Sequence, residues 1–111
     1  MEGRCQYTDE VAKYRNETIL ILCDRVKISR TANIATLDFS RRSWGPTARF
    51  TGDMPANIMT VSQIRQRSGK PVAATGRCEI FYRNDGDVAV ISCLAKFGSR
   101  SIAVNFIPSR I

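Results

Sequence analysis

Residues 76–107 constrain the fold of this chain more than any other stretch, because two turn signals divide them into three segments of alternating apolar residues. Asn84-Asp85-Gly86-Asp87 carries an Asp-Gly pair, the signal for a two-residue type I′ hairpin with positive φ at both central positions. Gly98-Ser99 suits a type II′ turn, with glycine first. Two-residue loops at both places set a register. Ile80 then lies opposite Ile91, Tyr82 opposite Ala89 and Cys78 opposite Cys93; Ile91 in turn meets Phe106, Cys93 meets Val104 and Ala95 meets Ile102. All of these share one face, and only Tyr82 is not wholly apolar. A slip of one residue would bring Glu79, Arg83, Lys96 and Asn105 onto that face, so the register is well specified. The stretch is predicted to be a three-stranded antiparallel meander.

The remaining segments extend the same pattern. Residues 17–23 are rich in isoleucine and leucine and too short for a stable helix, as expected of a strand covered on both faces. A second strand starts at Val26 and is predicted to break or bulge over residues 29–33. Beyond it Ala35, Leu37 and Phe39 point inward, and Ile34, Thr36 and Asp38 outward. Residues 47–51 make a short strand, 52–55 a turn, and 57–63 another strand with Met59 and Val61 inward. A helix through Ile58, Val61 and Ile64 is disfavoured by the valine and threonine in its middle. Pro71 belongs at a strand start or edge. The N-terminal residues 1–16 form either an arm or a short helix over 9–15 capped by Thr8, and residues 17–111 a single domain. The predicted fold is all-β: a small antiparallel barrel of six to seven strands, whose closure removes exposed edges.

Charge is concentrated rather than spread. Residues 41–77 hold seven basic side chains against Asp53 alone, a net +6 within a chain of net +7. Arginine outnumbers lysine thirteen to four, which suits bidentate recognition of phosphate or carboxylate. The plainer alternative is a solvated basic surface. Four cysteines occupy positions 5, 23, 78 and 93, and histidine is absent. Without histidine or a Cys-x-x-Cys pair there is no expected metal site or cofactor, and no Ser-His or Cys-His nucleophile; an enzyme is not expected. The longest apolar run, residues 19–23, is far short of a membrane span, so no membrane insertion is expected. The first residues have no apolar signal core, and a cytoplasmic address follows as the default. Cys78 and Cys93 are close enough in the register for a disulfide, but in a reducing cytoplasm all four cysteines are expected to be free.

The segment 40–46 (Ser-Arg-Arg-Ser-Trp-Gly-Pro) is predicted to be a loop, with Asp38 and Ser40 beside it and Arg41, Arg42 and Trp44 within it. Residues 65–70, with Arg65, Arg67 and Lys70, form a second basic loop. The strand order and the 38–45 segment resemble a PilZ domain, a small β-barrel that typically binds cyclic di-GMP. The family carries Arg-x-x-x-Arg before the first strand, Asp/Asn-x-Ser-x-x-Gly after the second, and a closing strand ending Gly-Val-x-Phe. Asp38-Phe39-Ser40 matches the start of the second motif, and residues 102–106 resemble the closing strand. Arg15 stands where the second arginine of the first motif would stand, with Val11 in place of the first and Ser43 in place of the glycine. The resemblance implies that Arg15 stacks on a guanine while Asp38 and Ser40 hydrogen-bond the ligand. Loss of one arginine equally implies a degenerate domain that binds a protein partner. The competing expectation is a basic barrel for single-stranded nucleic acid, with Arg41, Arg42, Arg49, Arg65, Arg67 and Lys70 on phosphates and Trp44 and Tyr82 as stacking surfaces.

Overall fold

Period-two alternation puts one row of side chains inward along most of this chain, and a sheet with one apolar face buries it by curling onto itself. The computed structural model describes residues 1–7, 18–67 and 69–109. Among these, nine strands and no helix are found: β1 (Gly3–Cys5), β2 (Thr18–Leu20), β3 (Arg25–Thr31), β4 (Ile34–Arg41), β5 (Gly45–Asp53), β6 (Ile58–Gln66), β7 (Val72–Tyr82), β8 (Val88–Phe97) and β9 (Arg100–Pro108). The expected six to seven strands were too few. Gly3–Cys5, expected in the N-terminal arm, is β1, and β2 pairs parallel to β9, with Thr18 opposite Ser101 and Leu20 opposite Ala103. The expected helix at residues 9–15 lies outside the described residues, as does Arg15.

The spatial order is β1-β9-β8-β7-β6-β5-β4-β3. The ring is drawn nearly shut by β1, which pairs antiparallel with β9 and also meets the start of β3. Gly3 N–H donates to the Asp24 carbonyl (3.0 Å), Cys5 N–H to Cys23 (2.9 Å) and Val26 N–H to Met1 (2.9 Å). Inside the ring, Leu37, Phe39, Phe50, Met59, Ile91, Ile102 and Phe106 lose all contact with solvent. Phe39 sits edge-on to Phe50, centroids 6.0 Å apart, and tilted against Phe106 at 6.2 Å.

The meander keeps its expected register at Ile80–Ile91, Cys78–Cys93, Ile91–Phe106, Cys93–Val104 and Ala95–Ile102. The Gly98-Ser99 turn joins Phe97 to Arg100 directly, with Gly98 at φ +62°. The other turn differs. Gly86 N–H donates to the Arg83 carbonyl and Arg83 N–H to Asp87, and only Gly86 has positive φ. This is a three-residue loop, a type I turn closed by a left-handed glycine, rather than the two-residue type I′ turn. It shifts the pairing so that Tyr82 meets Val88; a bulge at Ala89 then absorbs the extra residue and restores Phe81–Val90. Tyr82 is accordingly exposed rather than inward.

Two further boundaries moved. The strand expected to fail at residues 29–33 continues to Thr31 and turns through Ala32, which takes φ +56°. The expected loop 40–46 shrinks to a tight turn, with Ser40 and Arg41 ending β4 and Pro46 near the start of β5. The cysteines are the largest correction: all four are bonded, Cys5 to Cys23 and Cys78 to Cys93, instead of free. Strand pairing brings the second pair together, and closure of the ring by β1 the first.

Candidate anion-binding site

Two basic stretches far apart in sequence meet at one end of the β4-β5-β6 sheet. Trp44, the chain's one tryptophan, sits in the turn between β4 and β5 with 58% of its surface exposed. The Arg41 guanidinium lies 4.7 Å from its ring centroid and that of Arg67 5.2 Å, both within cation–π range. Trp44, Pro46, Arg65 and Arg67 line a shallow cleft of about 310 Å³. An exposed indole flanked by guanidiniums has the chemistry to accept a flat ring carrying negative charge.

Local irregularity builds this corner. On β5 Ala48 opposes Phe39 and Pro46 opposes Ser40, so Thr47 is an extra residue. Its buried hydroxyl donates to the Phe39 carbonyl (3.1 Å), and its own carbonyl accepts Arg67 N–H (3.0 Å). That bond carries the β6–β7 connection against the Trp44 turn. Arg65 Nε donates to the Arg67 carbonyl (3.3 Å), and Arg67 itself takes φ +47°. A left-handed arginine costs on the order of 1 kcal/mol and is held here by these contacts. Pro46 is tolerated because β6 pairs with β5 only from Ala48 onward.

The turn is braced from the barrel seam. Arg42 N–H donates to both Asp24 carboxylate oxygens (3.1 and 3.3 Å), and the Arg42 guanidinium pairs with Glu2, which also meets Arg25 (3.3 Å). The hydrogen bond and charge of Arg42 hold the exposed Glu2 carboxyl below its usual range, with Arg25 adding to the effect. Arg42, expected to touch ligand, has its guanidinium on Glu2 and its backbone N–H on Asp24, and so braces the turn. Asp38 lies on an outward position of β4, as expected, and Ser40 is still within that strand rather than at the start of a loop. Asp38 is engaged by Arg49 Nε at 2.9 Å, and that bond followed by its charge raises the Arg49 pKa. Cross-strand pairing sets Asp38 beside Arg49 and Arg49 beside Arg65, so one carboxylate faces a row of guanidiniums. Among the described residues, Arg41, Arg65, Arg67 and Lys70 have no carboxylate partner.

The structure thus gathers Arg41, Trp44, Arg65 and Arg67, sets Arg49 beside them, and leaves Lys70 exposed in the adjoining connection. It does not gather Tyr82, which ends β7 at the far end from Arg65, roughly 30 Å along the strand. Pro46, Thr47, Glu2 and Asp24 were not anticipated. Glu2, three residues before Cys5, and Asp24, just after Cys23, would have been the signal only if the Cys5–Cys23 pairing were known. No groups of three or more His, Cys, Asp or Glu side chains poised for a metal occur among the described residues. Nor is there among them a helix long and apolar enough to cross a membrane. No family model, curated protein or solved structure matches this chain, so nothing in those comparisons identifies a PilZ domain.

Proposed function

We propose that this protein is a non-catalytic binding domain that stacks a ring of a phosphate-bearing ligand on Trp44 and pairs the phosphates with Arg41, Arg65 and Arg67. The observation that supports this most is the convergence of the 41–44 and 65–67 stretches on the one exposed indole. Of the ligands considered, a single nucleic-acid strand fits better than cyclic di-GMP. A strand uses several cations spaced along its backbone, and Arg41, Arg65 and Arg67 surround the indole with no carboxylate partner among the described residues. The cyclic dinucleotide would need Asp38, whose carboxylate is already taken by Arg49. The two disulfides also favour work in an oxidising compartment over the cytoplasmic address expected from the sequence.

Calorimetry with a short single-stranded oligonucleotide and with cyclic di-GMP, at several salt concentrations, tests the assignment. The oligonucleotide should bind with an affinity that falls steeply with salt, and Arg41→Ala, Arg65→Ala and Arg67→Ala should each lower the slope of log affinity against log salt by about one. Tight cyclic di-GMP binding that is lost on Asp38→Ala and indifferent to Arg65→Ala would restore the PilZ assignment. Heat with neither ligand, in folded protein, would leave a protein partner.

A further inference from the structure

The Cys5–Cys23 disulfide and the Trp44 turn are mechanically connected. Cys5 N–H bonds the Cys23 carbonyl, and the next residue, Asp24, donates its N–H to the Ser40 carbonyl (2.9 Å) while its carboxylate accepts Arg42 N–H. On the same short strand as Cys5, Gly3 N–H bonds the Asp24 carbonyl, and the preceding Glu2 holds the Arg42 guanidinium. Both acids that brace the turn therefore belong to the two segments the disulfide joins. β1 has only three residues, and strands so short depend on what fastens their ends.

The two disulfides also differ in access. Cys78 and Cys93 are 1% and 2% exposed inside the barrel; in the other pair Cys23 is 7% exposed, but Cys5 is only half-buried at the seam and offers the one partly open cysteine of the four. Thiol–disulfide exchange needs a thiolate to reach a sulfur, so Cys5–Cys23 is the bond a soluble thiol reaches first.

We propose that the Cys5–Cys23 disulfide is a redox latch that holds β1 at the barrel seam and, through Glu2, Asp24 and Arg42, fixes the Trp44 turn for ligand binding. Its consequence for affinity rests on the assignment of Trp44 as the stacking platform; its effect on the turn does not. The bond forms by exchange with the disulfide of a dithiol oxidoreductase. The Cys5 thiolate attacks that disulfide, and the Cys23 thiolate then displaces the oxidoreductase sulfur. Two electrons pass to the oxidoreductase, which leaves as a dithiol. Glutathione reverses the step: one glutathione thiolate attacks, a second resolves the mixed disulfide, and oxidised glutathione is the product. The core pair Cys78–Cys93 stays closed and keeps the meander intact.

The test uses full-length protein refolded in a glutathione redox buffer and then titrated with reduced glutathione under native conditions. Thiols are trapped with iodoacetamide and mapped by peptide mass, while Trp44 anisotropy decay reads the mobility of the turn without any ligand. Expected are no free thiols at the start, then alkylation at Cys5 and Cys23 only. The fast local component of the Trp44 decay should grow from a minor to the main fraction, with the far-UV spectrum unchanged. The double variant C5S/C23S should show the same Trp44 mobility with no reductant present, and C78S/C93S should not. Free Cys5 and Cys23 after oxidative refolding would overturn the latch. So would opening of Cys78–Cys93 first, or opening of Cys5–Cys23 with an unchanged Trp44 decay. If the mobility changes as expected but no oligonucleotide binds oxidised protein, the latch stands and the ligand assignment falls.

Discussion

Replacing Trp44 with alanine separates a binding platform from a structural side chain. In the folded protein the indole contributes two cation–π contacts, to Arg41 at 4.7 Å and Arg67 at 5.2 Å, while more than half of its surface faces water. Exposed contacts of this kind contribute about 0.5–1 kcal/mol each, so the folding cost of Trp44→Ala should stay at about 1–2 kcal/mol. Stacking of one base on an aromatic side chain contributes about 1–3 kcal/mol, so oligonucleotide affinity should fall about five- to 150-fold. The two arginines lose their ring but keep their charges, so the salt slope should hardly change. Urea melts followed by far-UV circular dichroism give the first number, because the tryptophan signal is gone, and anisotropy of a dye-labelled oligonucleotide gives the second. Trp44→Phe should recover most of the stability and part of the affinity. A folding loss above about 3 kcal/mol, the scale of an emptied core site, with affinity intact would refute the reasoning. Trp44 would then be packing against the barrel and the ligand would lie elsewhere.

Other expectations concern the barrel that carries the site. Ile91→Ala and Phe106→Ala remove fully buried, mutually opposed side chains and should each cost about 2–5 kcal/mol in denaturant melts; losses below about 0.5 kcal/mol for both would contradict the observed register. Gly52→Ala should destabilise by about 1–3 kcal/mol, because a methyl there runs into the Thr60 carbonyl and the Val61 backbone, which have no flexible end to give way. Burial, opposed by backbone hydrogen bonding, pushes the Tyr7 phenol up to about 12; its hydroxyl donates to the Ile21 carbonyl at 2.6 Å. Because the folded pKa lies above the unfolded value of about 10, that stability is whole below pH 10 and is lost as pH rises through about 12. Tyr7→Phe should flatten the fall of stability across that window, and an unchanged alkaline titration would refute the role.

Alternation made the barrel legible in the sequence, and departures from alternation hid its details. The five apolar pairs of the meander followed from period two and two turn signals, because any slip would have buried Glu79 or Lys96. The same logic oriented Ala35, Leu37 and Phe39 inward. What failed were features that cost little locally and are decided by neighbours. Ser29–Thr31 is polar on its exposed side yet stays in β3, because β4 pairs with it through Thr31–Ile34. Gly45 and Pro46 resemble a loop, yet β4 supplies partners for both. Cys5 met Cys23 only through closure by β1, a contact between segments with no local signature.

The candidate site depends on one such departure. A strictly paired β5 would carry Pro46, Thr47 and Ala48 opposite three successive residues of β4, and Thr47 would spend its backbone in the ladder. Instead the bulge leaves Thr47 unmatched, and its carbonyl is free to accept Arg67 N–H. Two basic stretches that the sequence separates by more than twenty residues become walls of one cleft through that single hydrogen bond and the paired strands behind it. Composition alone located the positive charge in residues 41–77, but it could not say that Arg65 and Arg67 line one cleft with Trp44. That distinction underlies the proposed ligand. Arginines scattered over a surface screen one another and bind nothing in particular, whereas guanidiniums held around one indole present phosphate donors and a stacking face to the same molecule.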